Sequence, residues 1–179
     1  MNMAQSAAVM TFLGRLFSPR PDPRPALEPL WQRTIAIARE PEWYRDCGAA
    51  DTLEGRFDMV AAVLSLVMLR MEGDPQLAPK TALLAEFFVE DMDGQLRQAG
   101  VGDLFVGKHI GKLMGTLGGR IGAYRKGLAE GQAELAAAVR RNVTLVEGTD
   151  ALDLAMRLEQ LQARLDATAD EALLRGDIA

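Results

Sequence analysis

The chain has 179 residues, 49% of them hydrophobic, which is enough to enclose one core, so a single domain is the starting expectation. Its formal net charge of −5 lacks the basic footprint of a nucleic-acid binder, and no specific nucleic acid is expected as a partner. The single cysteine, Cys47, excludes an intramolecular disulfide and fits a reducing compartment, and no apolar run reaches the ~20 residues of a membrane-spanning helix.

Residues 1–18 put Val9, Met10, Phe12, Leu13, Leu16 and Phe17 on one side of a helix. Arg15 interrupts the run and no basic n-region precedes it, so a secretory signal is not expected. The lack of acids before Asp22, with Arg15 and Arg20, leaves a mitochondrial transit peptide open. The other readings are a helix packed on its own domain and one that docks on a membrane surface or a partner. Five of the eight prolines, at 19, 21, 23, 25 and 29, predict a stiff extended linker with little helix. The expected division is therefore 1–29, amphipathic helix and Pro-rich linker, then 30–179, a helical domain.

Helices follow throughout. Leu30 to Glu40 is short, and Pro41 to Ala50 reads as a loop carrying the aromatic pair Trp43-Tyr44. Asp51 or Thr52 can cap the next helix, which runs to about Glu72. Its positions Phe57, Val60, Ala61, Leu64, Val67, Met68 and Met71 follow the i, i+3, i+4, i+7 rule, and Gly73-Asp-Pro75 stops it. A helix from about Pro79 to Ala99 buries Leu84, Phe87, Phe88, Met92 and Leu96, with Gly100 placed as its left-handed terminator. Asp103 caps a long helix from Leu104 to about Glu130. Two more, Gln132 to Glu147 and Asp150 to Arg175, are split by Gly148-Thr149. No period-two alternation marks a strand, so the expected class is all-α, a single bundle of about six helices.

Catalytic patterns are missing. The only histidine is His109, with no nucleophile elbow beside it, and Cys47 lies in no CxxC or haem-attachment motif. Gly100-Val-Gly102 lacks the Lys-Ser/Thr of a phosphate loop. Glu86, Glu90, Asp91 and Asp93 lack the Glu-x-x-His pairs of a bundle metal site and read as a solvated acidic face. Neither enzyme activity nor a cofactor or metal is expected.

Two features carry more information. Arg56, Arg97, Asp58, Asp93 and Asp103 are expected either to hold the bundle in register as an inter-helix polar network or to rim a binding groove. Gly107, Gly111, Gly115, Gly118 and Gly122 fall on one stripe of the long helix. Each glycine costs about 1 kcal/mol against alanine, so something should lie close to the stripe, either a helix of the same chain or a hydrophobic partner helix. Lys108, Lys112 and Arg120 exclude a membrane span there. Five basic residues and no acid lie between Leu104 and Ala129, and five acids lie between Thr81 and Asp103, so the two segments are expected to be partly self-complementary neighbours.

Trp43-Tyr44, Asp51-Thr-Leu-Glu-Gly-Arg-Phe-Asp58, Phe87 to Lys108 and Gly119-Arg-Ile-Gly-Ala-Tyr124 together resemble the ubiquinol–cytochrome c chaperone family, over roughly residues 30 to 130. Residues past Glu130 match it poorly in this reading. The resemblance implies a helical, non-enzymatic chaperone that binds newly made cytochrome b at the membrane and helps assemble the cytochrome bc complex. Mitochondrial relatives also act near the ribosome exit with a small partner protein. One departure is Leu117-Gly118, where relatives tend to carry aromatics; the lost bulk should leave a shallow hollow, so the stripe is expected to pack internally at Gly107 and Gly111 and to be open towards Gly118 and Gly122. The resemblance, without a long presequence, implies a bacterial cytoplasmic protein peripheral to the inner membrane, with the mitochondrial matrix as the other possibility. Candidate partner-binding residues are Trp43, Tyr44, Arg56, Arg97, Lys108, Lys112, Gly115, Gly118, Arg120, Gly122 and Tyr124. The alternative function is a membrane- or ribosome-associated adaptor for another client.

Overall fold

A computed structural model of the chain describes residues 22–98 and 103–178, with the side chains of Leu96 and of residues 103–114 left undescribed. The helices are α1 (Glu28–Ala38), α2 (Pro41–Arg45), α3 (Leu53–Glu72), α4 (Thr81–Gln98), α5 (Asp103–Glu130), α6 (Gln132–Asn142), α7 (Leu152–Ala167) and α8 (Asp170–Leu174). Six of these exceed ten residues, as expected for the bundle. Among the described residues no strand forms, only an isolated antiparallel bridge between Ala49 and Leu145. No described helix is long and apolar enough to cross a membrane.

The axis of the bundle is α3. Its N-terminus is set by Thr52, whose hydroxyl accepts from the Gly55 amide at 3.1 Å. The periodic pattern predicts one buried face, but Met59 through Met68 are buried without a break, none above 8% exposed. Ala62, Val63 and Leu66 fill the side expected to face solvent, because α1, α4, α5 and α7 all pack around this helix. Its one buried polar side chain, Ser65, is satisfied within the helix by donating to Ala61 O at 2.6 Å. The surrounding helices present ordinary apolar stripes: Leu154, Leu158, Leu161 and Leu165 on α7, and Leu117, Ile121 and Tyr124 on α5.

Several boundaries differ from expectation for local reasons. The second half of the Pro-rich stretch is not an extended spacer. Arg24–Ala26 forms a 3-10 turn and Pro29 sits in the first turn of α1, where proline's missing amide is harmless. Leu27 is buried, and Arg24 lies 4.8 Å over the Phe87 ring while its guanidinium pairs with Glu90. Residues 1–21, with the amphipathic stretch, lie outside the described residues, as does Gly100. Pro41–Arg45 is helical rather than loop. Helix α6 ends at Asn142, not Glu147, because Val143 turns extended and the following residues join the 48–50 segment: Ala50 N donates to Thr144 O at 2.9 Å and Val146 N to Gly48 O at 2.9 Å. The last expected helix is two, α7 and α8. Arg70 fills the break, donating to Leu165 O at 3.1 Å and Thr168 O at 3.0 Å and pairing with Asp170 at 2.6 Å.

Gly55 shows how tightly the loop before α3 is laid against the helix. A Cβ there would stand 2.0 Å from Ala50 O. Gly55→Ala is expected to destabilise the domain by about 1–3 kcal/mol in a denaturant melt, although alanine in an open helical position would gain about 1 kcal/mol. An unchanged or raised midpoint would contradict this packing.

Candidate partner-binding site

Helix α5 is oriented by one polar junction. Asp58 of α3 receives Arg120 of α5 through one carboxylate oxygen. The other accepts from Thr144 N at 2.9 Å and Thr144 Oγ1 at 2.7 Å. The Arg120 and Asp58 side chains are only 17% and 16% exposed, so this pair is shielded from solvent, unlike a surface ion pair. Beside it Tyr124 is completely buried, and its hydroxyl has no partner among the described residues. Burial pushes the Tyr124 phenol up, opposed by Arg120 and reinforced by Asp58.

The aromatic pair before α3 is part of the core. Trp43 is fully buried, its indole donates to Ile37 O at 2.6 Å, and the Arg157 guanidinium lies 4.8 Å over its ring. Arg157 also bonds Glu40 at 3.2 Å, which ties α7 to the turn after α1. Tyr44 is half-buried and donates to Ala38 O at 2.8 Å. Cys47 is buried nearby, and desolvation pushes its thiol up.

The face of α5 opposite Leu117, Ile121 and Tyr124 is open. Gly115, Gly118, Gly119 and Gly122 are exposed, and a Cβ built on any of them meets nothing within 4 Å among the described residues. Gly107 and Gly111 lie where side-chain surroundings are not described. Further along the same face, Arg125 and Ala129 line an open cleft of about 480 Å³ with Leu69, Glu72 and Leu128 and with Gln162 and Asp166 of α7. By contrast Gly127 is buried, and a Cβ there would lie 2.7 Å from Leu135 Cα, so that glycine serves the close approach of α5 and α6.

The candidate residues are thus not one cluster. Trp43 and Tyr124 present no surface as folded, and Arg120 is committed to Asp58. Gly115, Gly118 and Gly122 share one accessible face, and Tyr44 and Arg56 sit elsewhere, at the α1–α3 junction. The side chains of Lys108 and Lys112 lie outside the described residues. Of the expected inter-helix network, the described side chains show Arg56 with Asp51 at 2.6 Å, Arg97 with Asp93 at 2.9 Å within α4, and Asp58 with Arg120 across α3 and α5. Asp103 lies outside the described side chains. The described cations of α5 are met by α3 and α6 rather than by the acids of α4, Arg125 pairing with Glu72 and Lys126 with Glu134 at 3.1 Å. Thr144 was not legible as a site residue, because nothing in Val143-Thr144-Leu145 points to a carboxylate 86 residues away.

Two arginine pairs with the same chemistry are expected to differ in weight. Asp58→Ala should cost about 3 kcal/mol in a urea melt, because it leaves Arg120 shielded and unpaired. Arg56→Ala should cost no more than about 0.5 kcal/mol, since both partners are exposed; equal costs would contradict the assigned roles. Tyr124→Phe removes an unpartnered hydroxyl and should leave stability at neutral pH within about 1 kcal/mol, on the stabilising side. The folded protein holds the Tyr124 proton more tightly than the unfolded chain does. Stability should therefore fall as pH rises above about 10, and Tyr124→Phe should blunt that fall. A Phe variant as alkali-sensitive as the parent would contradict it.

The geometry can be set beside known proteins. A comparison with curated proteins returned no match. Among solved structures, the chain is similar to the crystal structure of the Cbp3 homolog from Brucella abortus, at 33% identity with a TM-score of 0.75, over 86% of this chain and 87% of that one. A family model described as ubiquinol-cytochrome C chaperone matches residues 45–179. The match includes α6, α7 and α8, so the expectation that residues past Glu130 fit the family poorly is corrected; Trp43 and Tyr44 fall just before its start. The chain belongs to the ubiquinol–cytochrome c chaperone family.

Proposed function

We propose that the protein is a non-enzymatic assembly chaperone that binds newly made cytochrome b and promotes assembly of the respiratory cytochrome bc complex. Family membership supports this reading. The client is proposed to lie along the open face of α5, and the observation that carries this is that no atom of the described residues packs near Gly115, Gly118, Gly119 and Gly122. Four exposed glycines in one helix cost about 1 kcal/mol each, and no contact among the described residues needs them. A face without side chains lets the backbone of an apolar client helix approach closely, and the cleft beyond Arg125 extends it. Covering apolar client surface before assembly prevents its aggregation. Such work fits a protein peripheral to the inner membrane on the side where cytochrome b is made.

Deleting the gene should lower the reduced-minus-oxidised b-type haem absorbance of the membranes and their quinol–cytochrome c activity. Other respiratory complexes should stay near normal. Normal values for both quantities would overturn the proposal, and a broad loss of unrelated complexes would point to a general adaptor.

A further inference from the structure

A second surface lies at the junction of α1, α2 and α3. There an open cleft of about 440 Å³ is lined by Arg39, Pro41, Tyr44, Arg45, Asp51 and Arg56. Three guanidinium groups and one carboxylate line it, with Asp46 held by Arg45 at its edge, in a chain whose net charge is −5. These groups retain donors for a ligand. Arg39 is exposed, and its guanidinium meets no carboxylate among the described residues. Arg56 bonds Asp51 through Nε alone, at 2.6 Å, which leaves its terminal nitrogens for a ligand. Arg45 holds Asp46 through Nε and one terminal nitrogen, at 2.9 and 2.8 Å, leaving the other. The Tyr44 ring is fixed by its bond to Ala38 O, and that bond also covers a carbonyl that would repel an anion. Arg39, at the end of α1, and Arg56, of α3, line the cleft with this ring.

We infer that this cleft is a binding site for a phosphate monoester. A tetrahedral phosphate group can share its oxygens among several guanidinium forks, whereas a carboxylate has only two oxygens to offer. The phosphate is carried either by a soluble metabolite or by a lipid headgroup. The site is separate from the glycine face of α5 and does not depend on the identity of the client.

The test uses the full-length, isotope-labelled protein, titrated at low salt with glycerol 3-phosphate and, separately, with acetate. The phosphate ester should give saturable amide shifts confined to residues 39–45 and 51–56, and acetate should not. Arg39→Gln, which removes an exposed and unpaired group, should fold normally and bind at least about tenfold more weakly; Arg56→Gln should do the same. Co-sedimentation with phosphatidylcholine vesicles, with and without phosphatidic acid, separates the sources. Binding to phosphatidic-acid vesicles that is lost in Arg39→Gln, with only weak binding of the soluble ester, supports the site and assigns the phosphate to a lipid headgroup. No saturable binding of either probe would overturn the inference, as would equal binding by both variants or acetate binding as tight as the ester's.

Discussion

The carboxylate of Asp58 holds three parts of the chain that are far apart in sequence. One oxygen takes Arg120, and the other takes the amide and hydroxyl of Thr144. The first contact sets the rotation of α5 about its own axis. With Arg120 turned toward α3, Leu117, Ile121 and Tyr124 go into the core and the glycines between them face out. The second contact holds the extended residues after α6 beside the loop before α3, where Ala50 N reaches Thr144 O. That loop can lie so close only because Gly55 has no side chain. The open face of α5 and the basic cleft at the start of α3 therefore share one anchor.

Much of the bundle was legible because its helix limits are local chemistry. Thr52 and Gly73-Asp-Pro75 bound α3 as read. The long glycine-bearing helix was legible in the same way from Leu104 to Glu130. What escaped was tertiary. The full burial of α3 was signalled by the lack of any charge between Asp58 and Arg70, but the regular i, i+3, i+4 subset hid it. The ends of α6 and α7 escaped because Val143, Thr144 and Thr168 leave the helix to satisfy distant partners, the 48–50 segment and Arg70. Residues 24–29 have a proline-rich composition that suggests an extended linker, yet Leu27 and Arg24 dock on the bundle.

The candidate site was legible in type, and in direction only towards Gly118 and Gly122, through the departure at Leu117-Gly118. Spacing alone puts the glycines on one stripe, but it does not say whether the stripe faces the core or solvent. The described part faces solvent, while Gly127, one turn beyond Gly122 and off the stripe, faces α6. Trp43 and Tyr124 stood out in the sequence as motif residues, and in the fold both are enclosed. Their burial accounts for their chemical type through packing, so a partner surface has to be sought in smaller residues. Arg39 and Arg45 carried no motif; they gather with Arg56 only because α2 turns the chain back between α1 and α3.

In this account the glycine face exists for a client and not for the fold, so stability and client binding should separate there. The direct measurement takes Gly118→Leu and Gly122→Leu, with denaturant melts of each and capture of cytochrome b from membranes by the purified variants. The account predicts midpoints equal to or above the parent's, by up to about 1 kcal/mol in stability, together with loss of cytochrome b capture. Stable variants that still capture cytochrome b would remove this face from the binding site, and destabilisation by both substitutions would show that the face is packed within the fold.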